Sequence, residues 1–366
     1  MKVVVVFGTR PEAIKMCPVI KELRCRSGIK TIVCLTGQHK EMLDQVMDIF
    51  KIKADYNLNV MSENQSLSMI TSRVLLGLDD IFDKEKPDYV LVHGDTTSSF
   101  AAALAAFYCH IPVGHVEAGL RTYNMQSPFP EEFNRQSVDL IADLFFAPTE
   151  LARQQLLSEG KRDDCIFVTG NTVIDALQTT IADDYSSELL EWVGESKLIL
   201  LTAHRRENIG LPMKQMFAAV KKIIDVYSNV KIIYPIHRNP KVRELAEHAF
   251  ADCDRIRLIE PLDVINFHNL MKRCYLVLTD SGGIQEEAPS LGKPVLVMRD
   301  TTERPEGVKA GTLKLIGTNE DNIYMETERL LTDLSQYQHM CNAQNPYGDG
   351  KASERIVNIM EKHFKE

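Results

Sequence analysis

Acidic side chains stand at three positions in the first half of the chain where chemistry is plausible. Asp95 and Glu117 each follow a short apolar run, and Glu131 follows the segment Pro128-Phe129-Pro130. Carboxyl groups that crowd together can share protons, so that one is protonated while another is ionised. The set therefore indicates general acid–base chemistry. The simpler alternatives are that Asp95 caps a helix and that Glu131 only begins one.

Two cations stand close to the end of the first apolar run. Arg10 and Lys15 flank Pro11, a residue that suits the first position of a helix because it lacks an N–H. The N-terminus of a helix attracts anions, so this segment predicts a phosphate or pyrophosphate contact. The alternative is an ordinary helix start with solvated charges.

The second half of the chain offers a second group of anion-binding residues. Ser281-Gly282-Gly283 follows an apolar run, and its glycines would let backbone N–H groups approach an anion. Glu287, one turn further on, could accept hydrogen bonds from ribose hydroxyls, and Arg304 could reach the same phosphates. His204 and Arg205 follow another run and suit a pyrophosphate beside a titratable group. The alternative for Ser281 is a helix N-cap in a tight turn.

Several other functions are excluded by pattern and charge. No Gly-x-Gly-x-x-Gly follows a strand and no P-loop is present, so dinucleotide and Walker-type sites are not expected. Asp252-Cys253-Asp254 is interpreted as a coincidental match to an Asp-x-Asp metal motif, because it precedes a strand. The formal net charge of −9 argues against non-specific nucleic-acid binding. No apolar stretch approaches the length of a membrane span, so no membrane partner is expected.

The elements that must position these residues are short strands alternating with helical segments. The strand candidates are rich in Val, Ile and Leu and do not alternate in polarity, which is typical of parallel strands buried on both faces. We therefore predict an α/β fold with two sheets of about six strands. The predicted strands are Val3–Phe7, Thr31–Leu35, Tyr89–His93, Val113–Val116, Leu144–Ala147, Ile166–Val168, Leu198–Thr202, Lys231–Pro235, Arg257–Ile259, Leu276–Thr279, Pro294–Met298 and Thr312–Ile316.

Length and a polar interruption predict two domains. The chain has 366 residues, and the polar, acidic stretch 182–188 precedes the point where the strand pattern restarts. We place a first Rossmann-like domain at 1–187 and a second at 188–350. An amphipathic helix at 351–366 is expected to pack back on the first domain. Two such domains would face a cleft, with ligands beyond the carboxyl ends of the strands.

These segments together resemble the non-hydrolysing UDP-N-acetylglucosamine 2-epimerases. The resemblance implies a GT-B-like fold, usually as a homodimer, and no cofactor or metal ion. The tail segment 345–350 also matches. The matching motifs, in chain order, are Gly8-Thr9-Arg10-Pro11-Glu12, His93-Gly94-Asp95-Thr96, Glu117-Ala118-Gly119-Leu120-Arg121, Phe129-Pro130-Glu131-Glu132, Gly170-Asn171-Thr172, His204-Arg205-Arg206-Glu207 and Asp280-Ser281-Gly282-Gly283.

The resemblance implies reversible inversion at C2 of the sugar of a UDP-sugar. A base removes the C2 proton while UDP departs from C1, and UDP adds back after protonation from the opposite face. The implied catalytic residues are Asp95, Glu117, Glu131 and His204. The implied substrate-binding residues are Arg10, Lys15, Arg205, Leu262, Phe267 (a ring for uracil), Ser281, Gly282, Gly283, Glu287 and Arg304.

Some family members carry a second, activating site for UDP-N-acetylglucosamine. Its residues map to Gln38, Glu131, Arg205 and His237. Two further positions, commonly Gln and Arg, are Glu41 and Asn64 in this chain. Asn64 lacks the positive charge of Arg, and Glu41 adds a carboxylate. Both changes should weaken the binding of a pyrophosphate at this second site, so the sequence leaves open whether UDP-N-acetylglucosamine activates the protein.

Other functions remain as alternatives. The runner-up is a sister 2-epimerase acting on another UDP-acetamido sugar, such as a 2,3-diacetamido uronate. A GT-B glycosyltransferase would share the UDP site but need an acceptor, and a nucleotide-sugar sensor would not need Asp95 or Glu117. A hydrolysing 2-epimerase is disfavoured by the opening motif. The eight scattered cysteines are typical of reduced thiols, so a cytoplasmic location is expected.

Overall fold

The computed structural model describes residues 1–37, 40–62 and 65–365. By its contacts the chain divides into two compact units. Unit 1 comprises Met1–Thr179 together with Tyr347–Glu366, and unit 2 comprises Thr180–Pro346. Sequence alone places this division at about residue 187.

Unit 1 contains a seven-stranded parallel sheet of order β3-β2-β1-β4-β5-β6-β7. The central strands carry apolar side chains on both faces, and Val3 through Phe7 of β1 are all buried. The strands are β1 (Lys2–Phe7), β2 (Lys30–Leu35), β3 (Tyr56–Asn57), β4 (Tyr89–His93), β5 (Val113–Val116), β6 (Leu144–Ala147) and β7 (Ile166–Val168).

Helices cover both faces of this sheet, and side chains at their N-termini explain where several of them begin. Thr9 caps α1 in a capping box with Glu12, and Thr96 caps α4. The helices of this unit are α1 (Arg10–Cys25), α2 (Lys40–Phe50), α3 (Leu67–Glu85), α4 (Thr97–Tyr108), α5 (Glu131–Ile141), α6 (Glu150–Ser158) and α7 (Thr172–Thr180), which reaches the unit boundary.

Unit 2 contains a six-stranded parallel sheet of order β10-β9-β8-β11-β12-β13. Its strands are β8 (Lys197–Thr202), β9 (Val230–Pro235), β10 (Ile256–Ile259), β11 (Leu276–Thr279), β12 (Val295–Val297) and β13 (Leu313–Leu315). Its helices are α8 (Glu188–Val193), α9 (Leu211–Val226), α10 (Pro240–Phe250), α11 (Val264–Arg273), α12 (Ile284–Ser290), α13 (Pro305–Ala310), α14 (Glu320–Thr332) and α15 (Leu334–Asn342).

The chain returns to unit 1 through a final helix, α16 (Ala352–Lys365). Ile356, Val357 and Met360 of this helix are buried in the same apolar cluster as the inner face of α1. The carboxylate of Asp175 accepts hydrogen bonds from the backbone N–H groups of Ala352 (3.2 Å) and Ser353 (2.7 Å). A side chain from α7 thereby satisfies the first free N–H groups of α16.

The single tryptophan of the chain lies in unit 2. Trp192, on α8, is partly buried against the apolar cluster beneath the six-stranded sheet. Two cations lie over its ring: the Arg257 guanidinium at 4.5 Å and the Lys231 ammonium at 4.9 Å from the ring centroid. These cation–π contacts fix the ring in place.

The predicted strands all exist, with ends that shift by one residue in several cases. The prediction missed β3, a two-residue strand at the edge of the seven-stranded sheet. The sheets therefore have seven and six strands, where about six each were expected. Pro11 is the second residue of α1 and not its first, because the helix begins at Arg10.

Candidate active site

Asp95 lies in the turn between β4 and α4. The cap of α4 is the Thr96 hydroxyl, which accepts from the Ser99 N–H at 3.0 Å, so the interpretation of Asp95 as an N-cap is wrong. Its carboxylate instead pairs with the Arg135 guanidinium on α5 at 2.5 Å. The Asn134 amide donates to the Asp95 carbonyl at 2.9 Å. Helix α5 therefore holds both the backbone and the side chain of Asp95.

Glu117 follows β5, the strand beside β4. Its backbone has φ of +68°, a left-handed conformation that costs energy in a non-glycine residue and often marks a functional position. One carboxylate oxygen, Oε2, contacts the Lys15 ammonium and accepts a hydrogen bond from the Asn171 amide at 2.8 Å. The side chain is only 9% exposed, so these contacts lie in a largely dry setting.

His93, the last residue of β4, lies beneath Glu117. Its Nε2 is 3.7 Å from Glu117 Oε2, beyond hydrogen-bond reach. Burial lowers the pKa of His93 to about 3, against a smaller opposing effect of the Glu117 charge. The ring is therefore uncharged at neutral pH.

Glu131 begins α5, as the sequence predicts, and its neighbour Glu132 has a different role. The Glu132 carboxylate is fully buried and accepts from the backbone N–H groups of Thr122 (3.0 Å) and Tyr123 (2.9 Å). It also faces Arg135 at 3.3 Å. Burial opposes its charge, but these donors outweigh that effect and hold the pKa of Glu132 below its ordinary value. Among the described residues, the Glu131 side chain makes no hydrogen bond or ion pair.

A buried network ties the loops of Asp95 and Glu117 together. His115 Nδ1 lies 2.6 Å from Asp139 Oδ1, and its Nε2 lies 2.8 Å from the Gly94 carbonyl. Asp139 Oδ2 accepts from the Gly119 N–H at 3.1 Å and contacts Arg121 at 2.8 Å. Burial opposes the charge of Asp139, yet His115 and Arg121 hold its pKa below the ordinary value. Asp139 therefore connects the two loops that carry the carboxylates: through His115 it reaches the loop of Asp95, and directly it binds the loop of Glu117.

Arg10 and Lys15 lie on the first two turns of α1, where the sequence predicts an anion contact. Gly8, before the helix, leaves no room for a side chain, because a Cβ there would lie 1.8 Å from Thr36 Oγ1. Glu12 accepts from the Gly8 and Thr9 N–H groups at 3.0 and 2.7 Å. Lys15 contacts the Glu117 carboxylate.

In unit 2, Asp280 organises the segment after β8. Its buried carboxylate accepts from the backbone N–H of His204 at 2.9 Å and of Arg205 at 2.9 Å. The Asn208 amide donates to it at 3.1 Å. The ring of His204 stacks on that of His237, with centroids 5.4 Å apart.

The Ser281-Gly282-Gly283 turn lies between β11 and α12. The helix begins at Ile284 and no side chain caps it, so the interpretation of Ser281 as N-cap is wrong. A Cβ on Gly282 would lie 3.5 Å from the Arg205 guanidinium, and one on Gly283 would lie 3.7 Å from Glu287 Oε1. The turn therefore brings Arg205 and Glu287 to the same backbone segment.

The remaining predicted substrate-binding residues of unit 2 surround this turn. Glu287 Oε2 lies 3.5 Å from His268 Nε2, and the adjacent Phe267 packs with Leu262 against the apolar cluster below the sheet. Arg304 is paired with the buried carboxylate of Glu286. These residues gather around α12, so the sequence-predicted UDP residues of this half lie within one region of unit 2.

The predicted second site is only partly within the described residues. His237 is exposed, and desolvation together with the neighbouring His204 lowers its pKa. Arg205 and Glu131 are placed as stated above. Gln38 and Asn64 lie outside the described residues, as does the side chain of Glu41 on α2.

Four residues that contact the predicted ones carried no role in the sequence analysis. Arg135 pairs with Asp95, Asn171 with Glu117, Asp280 with His204 and Arg205, and His93 lies beneath Glu117. The motifs contain three of them, but only the folded chain shows which partner each one meets. Arg135 has a detectable signal, since it stands one helical turn after Glu131.

The described part of the chain has neither a cluster of metal-ligating side chains nor a helix suited to cross a membrane. Within residues 1–37, 40–62 and 65–365, no three His, Cys, Asp or Glu side chains are grouped so that they could hold a metal ion. In the same ranges, every helix is too short or too polar to cross a bilayer.

The chain is similar to one well-defined set of proteins. Residues 21–361 match the family model for UDP-N-acetylglucosamine 2-epimerase. A Bacillus subtilis UDP-N-acetylglucosamine 2-epimerase is 60% identical over 364 residues, which cover 100% of this chain and 96% of that protein.

Solved structures agree with this similarity. An S. aureus protein solved with UDP superposes with a TM-score of 0.93 at 53% identity, covering 100% of this chain and 97% of the other. A Neisseria meningitidis UDP-GlcNAc 2-epimerase bound to UDP-GlcNAc gives 0.91 at 50% identity, covering 99% and 100%. An Anabaena protein in complex with UDP and glucose, 14% identical with a TM-score of 0.66 and covering 99% and 100%, shares the fold alone, which is GT-B-like.

Proposed function

The chain belongs to the UDP-N-acetylglucosamine 2-epimerase family, and from this premise we propose that it interconverts UDP-N-acetylglucosamine and UDP-N-acetylmannosamine by eliminating and re-adding UDP. The observation that carries this proposal is the pair of carboxylates at the ends of β4 and β5. Asp95 and Glu117 follow the neighbouring strands β4 and β5, each in contact with a cation.

The reaction needs a base at C2 and a route for the leaving group. The C2–H bond breaks and its electrons form the C1=C2 double bond, while the C1–O bond breaks and UDP leaves with that electron pair. UDP and 2-acetamidoglucal result. Re-addition with protonation at the other face gives the epimer. We assign proton transfer to Asp95, Glu117 and Glu131, with His204 as the fourth catalytic residue.

We assign the departing UDP to cationic and backbone groups. Arg10 and Lys15 on α1, and Arg205 and Arg304 in unit 2, supply positive charge for the diphosphate. The Ser281-Gly282-Gly283 turn supplies backbone N–H groups, and Glu287 suits the ribose hydroxyls. Phe267 and Leu262 offer an apolar surface for uracil.

Two further assignments complete the proposal. We assign the protein to the cytoplasm, because its eight cysteines are free, as is usual in a reducing compartment. We also propose a homodimer, because apolar side chains project from α5 into solvent, Leu140 with 78% and Phe133 with 48% of their surface exposed.

The test is incubation with UDP-N-acetylglucosamine alone in heavy water, followed by proton NMR. We expect UDP-N-acetylmannosamine to form and deuterium to appear at C2 of both epimers, also in excess EDTA. Asp95→Asn should abolish exchange and still bind UDP. Epimerisation with full retention of the C2 proton would contradict the elimination route. A glycosyltransferase would give no epimer without an acceptor.

A further inference from the structure

His93 is a buried polar side chain without a hydrogen-bond partner in the described residues. It is 4% exposed, and both Nδ1 and Nε2 lack a partner. The ring is uncharged because burial lowers its pKa, so it carries one N–H. A buried donor left unpaired carries a free-energy cost, because it has given up its hydrogen bond to water. Such a cost points to a partner in another state of the protein.

The carboxylate of Glu117 is an acceptor close to this ring. His93 Nε2 lies 3.7 Å from Glu117 Oε2, so a movement of less than 1 Å would bring the pair within hydrogen-bond distance. The same oxygen is at present in contact with the Lys15 ammonium and the Asn171 amide.

Lys15 has a second prospective partner. In the function proposed above, its ammonium binds the diphosphate of the substrate. A diphosphate carries more negative charge than one carboxylate and would compete for the ammonium. When Lys15 turns to the diphosphate, Glu117 loses a charged contact.

We propose that His93 is a positioning residue for Glu117, whose ring N–H takes up the carboxylate when Lys15 engages the substrate diphosphate; this inference rests on the function proposed above. A carboxylate beside a neutral donor accepts a proton more readily than one beside an ammonium. Glu117 thus becomes a stronger base only when substrate is bound, and the hydrogen bond from His93 holds its carboxylate in a fixed orientation.

The test replaces the His93 imidazole by a ring that has no N–H donor. His93→Phe should lower kcat about 10–100-fold, the usual effect of losing a hydrogen bond to a charged group. KM and the Kd for UDP should stay within about twofold, because a positioning residue acts on Glu117 and the buried His93 ring is assigned no contact with the substrate. The midpoint of thermal unfolding should not fall, because the removed polar atoms had no partner in the described residues.

Tyr89→Phe is the matched control. Tyr89 also lies on β4, is 5% exposed, and has a hydroxyl without a partner in the described residues. This variant should keep the wild-type kcat. His93→Gln retains an N–H donor and should recover at least part of the activity lost in His93→Phe.

The outcomes separate this inference from the proposed function. Wild-type protein that fails to exchange the C2 proton refutes the function. If the wild-type protein exchanges the C2 proton and His93→Phe has an unchanged kcat, only the inference is refuted. It is also refuted if the midpoint of thermal unfolding of His93→Phe falls so far that unfolding explains the lost activity. If His93→Phe does not fold, His93→Gln is compared with His93→Met, which is similar in length; equal turnover of the two overturns the inference.

Discussion

Glu131 and Glu132 are neighbours in sequence with opposite structural situations. Glu132 is fully buried and holds the backbone at Thr122 and Tyr123, whereas Glu131 is partly exposed at the first turn of α5. We infer that Glu132 supports the fold and that Glu131 is the residue available for chemistry.

Replacing each by glutamine should separate these roles. Glu132→Gln weakens the contact with Arg135 and leaves buried donors unpaired, so we expect a loss of about 3 kcal/mol in the free energy of unfolding. Glu131→Gln should change that free energy by less than about 0.5 kcal/mol but lower turnover about 10²–10⁴-fold. Denaturant unfolding and the NMR assay measure both. Equal stabilities, or a fully active Glu131→Gln protein, would contradict the assignment.

At the residue scale, the sequence predicts which residues are candidates for catalysis better than it predicts which side chains contact them. Asp95, Glu117 and Glu131 could be identified as candidate acid–base residues because they follow predicted strands or begin a predicted helix. The ion pair of Asp95 with Arg135 joins residues from different elements, and nothing in the local pattern specifies it. The hydrogen bond from the Asn171 amide to Glu117 likewise depends on the completed sheet, as does the burial of the His93 ring without a partner among the described residues.

Elements buried on both faces could be predicted well because their sequences are continuous apolar runs. β4, β5, β6 and β11, which are buried along their whole length, begin and end where expected, and so does the less buried edge strand β7. β3 escaped prediction because two residues, Tyr56 and Asn57, make no run and occupy the edge of the sheet. The alternative caps for α4 and α12 are wrong for different reasons. In α4 the cap is Thr96, the neighbour of Asp95, and residue type alone does not choose between Asp and Thr. In α12 no side chain caps the helix.

Helix α5 combines a buried face with an exposed apolar one. Arg135 and Glu132 point inward, whereas Phe133 and Leu140 are seven residues apart and project together into solvent. We expect wild-type protein to sediment at about twice the chain mass of 41.4 kDa. Leu140→Asp should shift it towards the monomer, because a charge would be buried in the interface.

Leu334→Asp provides the control for that experiment. Leu334, at the start of α15, is 63% exposed and belongs to the other unit. Its replacement should leave the sedimentation coefficient unchanged. A monomeric wild-type protein, or a dimer that Leu140→Asp does not affect, would contradict the assignment of α5 to the interface.

At the scale of the whole molecule, each unit has its own apolar cores. The clusters around β1 and α4 belong to unit 1, and those around β8 and β11 belong to unit 2. Alternating strands and helices predict two such sheets, and the amphipathic pattern at 351–366 predicts a final helix that packs back on the first domain. The local pattern does not specify which side chains that helix meets, because those of α1 lie at the other end of the chain.

The cation-covered ring of Trp192 gives this division an optical consequence. Because the chain has one tryptophan, selectively excited fluorescence arises from unit 2 alone, whereas far-ultraviolet circular dichroism averages both units. Glu132→Gln is a change in unit 1. We expect it to lower the temperature of the unfolding transition seen by circular dichroism and to leave the transition temperature seen by tryptophan emission unchanged. An equal shift in both signals would mean that the two cores unfold as one. Trp192 is thus a built-in probe for following one half of the molecule independently of the other.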